Sequence, residues 1–195
     1  MEYKKGSFAL LGLILIVGTG MNAFGFLGFG NTLTWQEEVN LLDGRVITVT
    51  QKNRVEDRTP REFWLTFKLP EFGNQEIVWH ENLMPMVLNI YQHKLYVVGT
   101  PGTIIEYNQY GRPEPIYIGY RYDNTQWVRI PFNEIPVAIY DANMYPENMA
   151  LNRLKHVSVA DKVGMFKDDR WDASQRRVDP NYKSSFSRES ADTRR

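Results

Sequence analysis

Between residues 7 and 30 (SFALLGLILIVGTGMNAFGFLGFG) no side chain carries a charge. As an α-helix those 24 residues would extend about 36 Å at ~1.5 Å per residue, enough to cross a hydrocarbon core ~30 Å thick. A helix buried in a water-soluble core would normally keep a polar stripe, and this segment has none. The reading is a transmembrane helix over 7–30, preceded by a short terminus, 1–6, that carries Lys4 and Lys5. On the other flank no basic residue occurs before Arg45, so the positive charge lies on the N-terminal side. Positive flanks stay cytoplasmic, which puts the N-terminus inside and exports the rest. The rival is a cleaved signal peptide, with an apolar stretch over 8–17 followed by Gly18-Thr19-Gly20. Apolar residues continue past that point through Met21, Ala23, Phe24, Phe26, Leu27 and Phe29, which favours an uncleaved anchor. Both readings place the body outside the cytoplasm.

Charge and cysteine content close off several classes. With 23 basic and 23 acidic residues the formal charge is zero, so no global field would hold nucleic acid. The absence of cysteine removes disulfides, thiol nucleophiles and Cys-zinc sites. Mean hydropathy is −0.44 despite the apolar opening, so the remainder is distinctly polar.

From Thr34 onward the dominant period is two. Asp43-Gly44 between 33–42 and 45–51 is a hairpin signal. Further strands are expected over 62–69, with Phe63, Leu65 and Phe67 on one face and Trp64 on the other, and over 75–80, 83–91, 94–99, 104–107, 116–122 and 126–130. Pro85 argues that the strand in 83–91 starts only at Met86. About nine short strands at this spacing predict a mainly β fold: an antiparallel β-sandwich or open barrel spanning 33–140. No repeat supports a propeller. Over 146–156 (PENMALNRLKH) one short C-terminal helix is expected within a connection spanning 141–166, with Pro146 at its first position. From 167 to 195 large apolar residues are isolated among charges, so a disordered tail is expected.

No residue pattern supports a catalytic centre. His80, His93 and His156 lack the close spacing of metal ligands, and no metal or cofactor is expected. His93 reads as a turn residue and His80 as a strand-end residue. Glu37 and Glu38 are adjacent on a strand and so point to opposite faces, which excludes a dyad; a solvated role is expected for them. Nucleophile elbows and phosphate loops are absent from the sequence. Tyrosine is dense instead: Tyr91, Tyr96, Tyr107, Tyr110, Tyr117, Tyr120 and Tyr122, with Trp127, fall within 37 residues. Such rings suit surfaces that are apolar on one side and wet on the other. An exposed row of Tyr107, Tyr110, Tyr117, Arg121 and Trp127 is therefore the candidate binding surface, for a glycan or an envelope protein. The competing reading is that half of these rings fill the core. Asp161, Lys162 and the basic pairs at 176–177 and 194–195 offer a weaker contact for anionic lipid.

The stretch over 35–49 (WQEEVNLLDGRVITV), shortly after an apolar N-terminus, resembles uncharacterised bacterial envelope proteins in which a WQEEV-like strand leads into a DGR turn. The resemblance covers the first third of the chain. It implies a bacterial membrane-associated protein and carries over no catalytic residue. Taken with the topology, the expectation is a single-pass inner-membrane protein with its N-terminus cytoplasmic and its β-rich body periplasmic or extracellular. Its partner is the bilayer through 7–30, no nucleic acid is involved, and its role is a binding or structural module. The alternative is an envelope hydrolase whose carboxylates meet only in the fold.

Overall fold

The computed structural model describes residues 31–145, 155–166 and 173–187. The transmembrane segment expected over 7–30 lies outside them, as do residues 146–154 of the expected helix. Among the described residues no helix is long and apolar enough to cross a membrane.

The body is mainly β, as the period-two pattern predicts. Strands β1 (Asn31–Asn40), β2 (Val46–Glu56), β3 (Thr59–Phe67), β4 (Ile77–Glu81) and β9 (His156–Val157) form one sheet in the order β4-β3-β2-β1-β9. Strands β5 (Met84–Tyr91), β6 (Lys94–Thr100), β7 (Ile118–Asp123) and β8 (Gln126–Ile130) form a second sheet in sequence order. Neighbours pair antiparallel except β1 and β9, which run parallel. Short helices complete the fold: α1 (Ile104–Gln109), α2 (Val159–Phe166) and α3 (Ala173–Arg176).

Local chemistry explains the hairpins. At the β1–β2 turn Gly44 takes φ +87°, which only glycine adopts without strain, and Asp43 accepts the Arg45 amide at 3.0 Å. The β2–β3, β5–β6 and β7–β8 hairpins each close through two residues of positive φ: Asp57-Arg58, Gln92-His93 and Asn124-Thr125. Paired positive φ values mark the turn whose twist matches the flanking strands.

The two sheets face each other across one core. Val39, Val49, Leu65, Phe67, Ile77 and Trp79 from the first pack on Leu88, Leu95, Val97, Ile118 and Tyr120 from the second. Trp79 meets Tyr120 edge-on, with centroids 5.8 Å apart. Both seams are tied. Trp127 of β8 donates its indole N–H to the Val78 carbonyl of β4 at 2.8 Å. On the other side Asn143 acts as a surrogate peptide group. Its Oδ1 accepts from the Leu88 amide at 3.0 Å, while its Nδ2 donates to the carbonyls of Leu88 (2.8 Å) and Asn40 (2.7 Å).

Several sequence expectations are corrected. Residues 104–107 are helical, within α1, rather than strand. Thr103 caps the helix by accepting the Ile105 amide at 3.2 Å, and its hydroxyl donates to the Glu106 carboxylate. Thr-x-x-Glu is the sequence signature of a helix start, and it outweighs the β-branched pair Ile104-Ile105. Strand β5 begins at Met84 rather than Met86: Pro85 pairs with Gly99 and the register shifts between Pro85 and Val87. An edge strand with a bulge accommodates a residue that has no amide hydrogen. His156, the end of the expected helix, lies in β9.

The expected tail packs where it is described. Residues 173–187 lie against the second sheet: Val178 is buried, its amide bonds the Tyr140 carbonyl at 2.8 Å, and Ser184 is buried too. Apolar residues too sparse to collapse on each other dock singly on a face already formed. Likewise residues beyond 140 belong to the body, since Met144 sits in the main core.

Candidate functional site

The tyrosine row does not assemble as a surface. Tyr107 and Tyr117 are 2% exposed. The Tyr107 hydroxyl donates to Glu114 at 2.8 Å, and that of Tyr117 to the Ser174 carbonyl at 3.0 Å. Tyr110 is half-buried and donates to Glu81 at 2.7 Å, while Trp127 is committed to the seam. Arg121 pairs with Asp123 at 2.8 Å and Glu134 at 3.3 Å. Burial raises the Tyr110 and Tyr120 hydroxyls above the usual phenol range, and the Glu81 carboxylate adds to the shift. Tyr107 and Tyr110, at α1, and Tyr117, just before β7, thus turn their polar tips to internal partners.

A half-exposed aromatic does occur on the outer face of the first sheet. The Trp64 ring stacks on His80 (centroids 4.3 Å apart, 11° between planes), and the Lys52 ammonium lies 4.5 Å from the Trp64 ring centroid. Strand alternation places Trp64 opposite Phe63 and Phe67, which is the signal for its outward position. Both flanks of that ring are occupied by its neighbours.

The most structured polar group is internal. Glu37, on the inward face of β1, is fully buried. Its Oε1 accepts from the Tyr145 amide (2.8 Å) and the Lys162 ammonium (2.9 Å), and its Oε2 accepts from the Gln51 amide nitrogen. Lys162 of α2 is 4% exposed and also donates to the carbonyls of Glu38 and Asn143, the latter at 2.6 Å. Burial pushes the Glu37 carboxyl up, while Lys162, the Tyr145 amide and Gln51 pull it back. A solvated role for Glu37 and a lipid contact for Lys162 are therefore corrected: β1 turns one inward and α2 brings the other to meet it. An ammonium has three protons, and here three acceptors take them. Glu37 in turn accepts three hydrogen bonds, from Lys162, Gln51 and the Tyr145 amide, so the pair acts as a clamp. Glu38, on the opposite face, accepts the Val159 amide at 3.1 Å and lies 3.4 Å from His156. Adjacent carboxylates thus grip the β9–α2 segment from two sides.

Beside this clamp the seam opens into a cleft of about 280 Å³ lined by Leu41, Leu42, Asn89, Ile139, Ala142 and Val163, among others. Leu42 and Val163 are half-exposed at its rim, at 51% and 49%. Asn89 is 5% exposed; its Oδ1 accepts from the amides of Leu42 (2.7 Å) and Ile90 (3.0 Å), which leaves Nδ2 as the donor open to a guest. The cleft's carboxylate, Asp141, is paired with Arg177.

No family model, curated protein or solved structure matches this chain. A second buried carboxylate, Glu106, is held by Arg61 at 3.0 Å, at α1 and away from the seam. Among the described residues no group of three or more His, Asp or Glu side chains is placed to hold a metal ion. His80 lies in β4, His93 in the β5–β6 turn and His156 in β9.

Proposed function

We propose that this chain is a single-pass, membrane-anchored module of a bacterial envelope. Its N-terminus is cytoplasmic, and its β-sandwich body stands on the periplasmic or outer side as a binding or structural element. The observation that carries the reading is a junction: the uncharged run ends at Gly30 and β1 begins at Asn31. The first strand of the body would therefore follow the anchor directly, with no linker to let the body drift from the bilayer surface. Binding, rather than catalysis, is supported by how the buried polar groups are used. Glu37, Lys162, Arg61 and Glu106 are tied to one another and to backbone groups within the fold. The seam cleft, walled by Leu41, Leu42, Ile139, Ala142 and Val163, with the Asn89 Nδ2 donor open and its carboxylate Asp141 already paired with Arg177, fits a small apolar group that carries a carbonyl.

The test is fractionation combined with proteolysis of spheroplasts carrying a C-terminal epitope. The reading expects sedimentation with the inner membrane and loss of the epitope in intact spheroplasts. An epitope cut only after lysis would overturn the topology, and a full-length chain soluble without detergent would overturn the anchor.

A further inference from the structure

A β-sheet ends at an edge whose outward amides and carbonyls take water, a side chain or another strand. Strand β5 is closed by Asn143, whose side chain takes the Leu88 amide and carbonyl, and by the amides of Asn143 and Met144 on the Met86 carbonyl. Strand β9 is only two residues long, and the Val78 carbonyl of β4 accepts the Trp127 indole. Strand β8 differs. Its hairpin with β7 turns through Asn124-Thr125, closed by the facing pair Asp123 and Gln126. In a two-residue hairpin the flanking pair is hydrogen-bonded, and bonded and non-bonded pairs alternate from there. Gln126, Val128 and Ile130 therefore bond to β7, while the amides and carbonyls of Trp127 and Arg129 point away from it. Among the described residues nothing pairs with those backbone groups. Their side chains leave the edge open. The Trp127 indole reaches across the seam, and the Arg129 guanidinium lies 5.8 Å from the Tyr110 ring centroid. Pro131, the next outward position, has no amide hydrogen and ends the ladder.

We propose that the β8 edge pairs antiparallel with β8 of a second copy of this chain, about a two-fold axis through Val128. The open groups lie one residue to either side of Val128, so the window is symmetric about that residue. With the axis there, Trp127 stands opposite Arg129 of the second copy, and the two exchange both of their hydrogen bonds. The symmetric pair does the same, and every open donor and acceptor is used. An axis on Trp127 or on Arg129 leaves the other residue's groups unpaired, and the second of these also sets like charges directly opposite each other. Val128, 43% exposed, meets its own copy on the face it shares with Ile130. An unrelated extended strand would fill the same backbone groups, but only this register answers each Trp127 ring with an Arg129 cation. The interface does not depend on how the chain is anchored.

The chain has no cysteine, so a single introduced thiol reports on one position. Residues on the axis form a non-hydrogen-bonded pair with Cα atoms ~4.5 Å apart, within the ~4.4–6.8 Å that a disulfide spans. The full chain is oxidised with copper phenanthroline, once purified in detergent micelles and once in the membranes of cells that express it. Products are read on non-reducing gels and by intact mass. Val128→Cys forms a covalent dimer roughly tenfold more than Gln126→Cys, whose copies stand about 14 Å apart along the strands at ~3.4 Å per residue. Adding Arg129→Pro to Val128→Cys removes an outward amide without touching the β7 ladder, so the chain melts near wild type and loses most of the dimer. If Arg129→Pro melts low, the contrast between positions 128 and 126 still decides. Equal dimer at both positions or no dimer at 128 overturns the proposal. So does a dimer unchanged by Arg129→Pro, or a membrane adduct of Val128→Cys with another protein in place of its own copy.

Discussion

The two sheets present opposite outer faces. Outside the first sheet, Thr34, Gln36, Thr48 and Lys52 meet solvent, with Arg54, Glu62 and Trp64 half-exposed among them. Outside the second sheet, Tyr96, Val98 and Ile130 are buried beneath Ile135, Ile139, Tyr140 and Val178. The sequence of each strand records the difference. Strand β3 alternates buried and half-buried positions along its C-terminal half, whereas β6 is buried at every position from Leu95 to Thr100. A sheet wet on one side must alternate, and one covered on both sides has no solvent face to make polar. The cover comes from residues 131–145 and 173–187, which are remote in sequence from β6. The first sheet thus stands on its own hairpins, while the second depends on distant chain.

The largest expected effect challenges the first half of that contrast, since the first sheet also recruits remote chain at its β1 edge. Lys162→Met leaves Glu37 buried without its cation, and we expect a loss of about 3–5 kcal/mol in urea denaturation. The double variant Glu37→Met with Lys162→Met should recover most of it, because well-packed apolar residues replace buried ion pairs at little or no loss. A single variant as stable as wild type would show that the β1 edge needs no clamp.

The second prediction sharpens the contrast between outer faces. Val178→Ala removes two methyl groups from the cover and should cost about 2 kcal/mol, whereas Thr48→Ala on the open face should stay within about 0.5 kcal/mol. Equal effects would dissolve the distinction. Gly119 offers an independent probe of the same cover. A Cβ placed there would lie 2.6 Å from Ile135 Cγ1, so Gly119→Ala should destabilise by about 1–3 kcal/mol through overpacking.

Legibility follows the same division. The first sheet could be read closely because alternation and the Asp43-Gly44 turn are local signals. The strands of the second sheet were legible as apolar runs, but what covers them was not, because Val178, Tyr182 and Phe186 are each too isolated to announce a core. The tyrosines misled for the same reason: a ring suited to a wet boundary is equally suited to a buried face with an internal acceptor, as Tyr107 finds in Glu114. Helix α1 was legible in Thr103 and Glu106, and Ile104-Ile105 concealed it. The Glu37–Lys162 clamp joins residues 125 positions apart. No local pattern carries such a pair, although alternation did require Glu37 and Glu38 to face opposite ways.

A smaller effect concerns the hairpin turns. Thr125, β-branched, holds φ +68° in the β7–β8 turn, where an Asn-Gly pair would sit without strain. Thr125→Gly should raise stability by up to about 1 kcal/mol in the same urea assay. A loss would mean that the Thr125 side chain contributes more in the turn than its backbone strain takes away.

The least effect on global stability is a local one, and it separates the two grips on β9–α2. The Val159 amide and His156 hold the Glu38 carboxyl below its ordinary value of 4.5, and Ser158 does the same for Asp161, ordinarily 3.8. A carboxyl lowered on folding contributes fully above its unfolded value and loses that contribution as pH falls through the folded one. Acidification through the ordinary carboxylate range should therefore loosen the outer grip, but the Glu37 carboxyl, pushed up by burial, takes its proton in the same descent, so a Glu38 variant at constant pH is what separates the two. Amide exchange at Val159 to Lys162, corrected for intrinsic rates, should accelerate on going from pH 6 to pH 3 with little change in β2 and β3. Glu38→Gln should exchange faster already at pH 6. Protection at pH 6 unchanged in Glu38→Gln would mean that the inner clamp alone holds the segment, and that the first sheet's edge depends on one buried ion pair rather than on two opposed carboxylates.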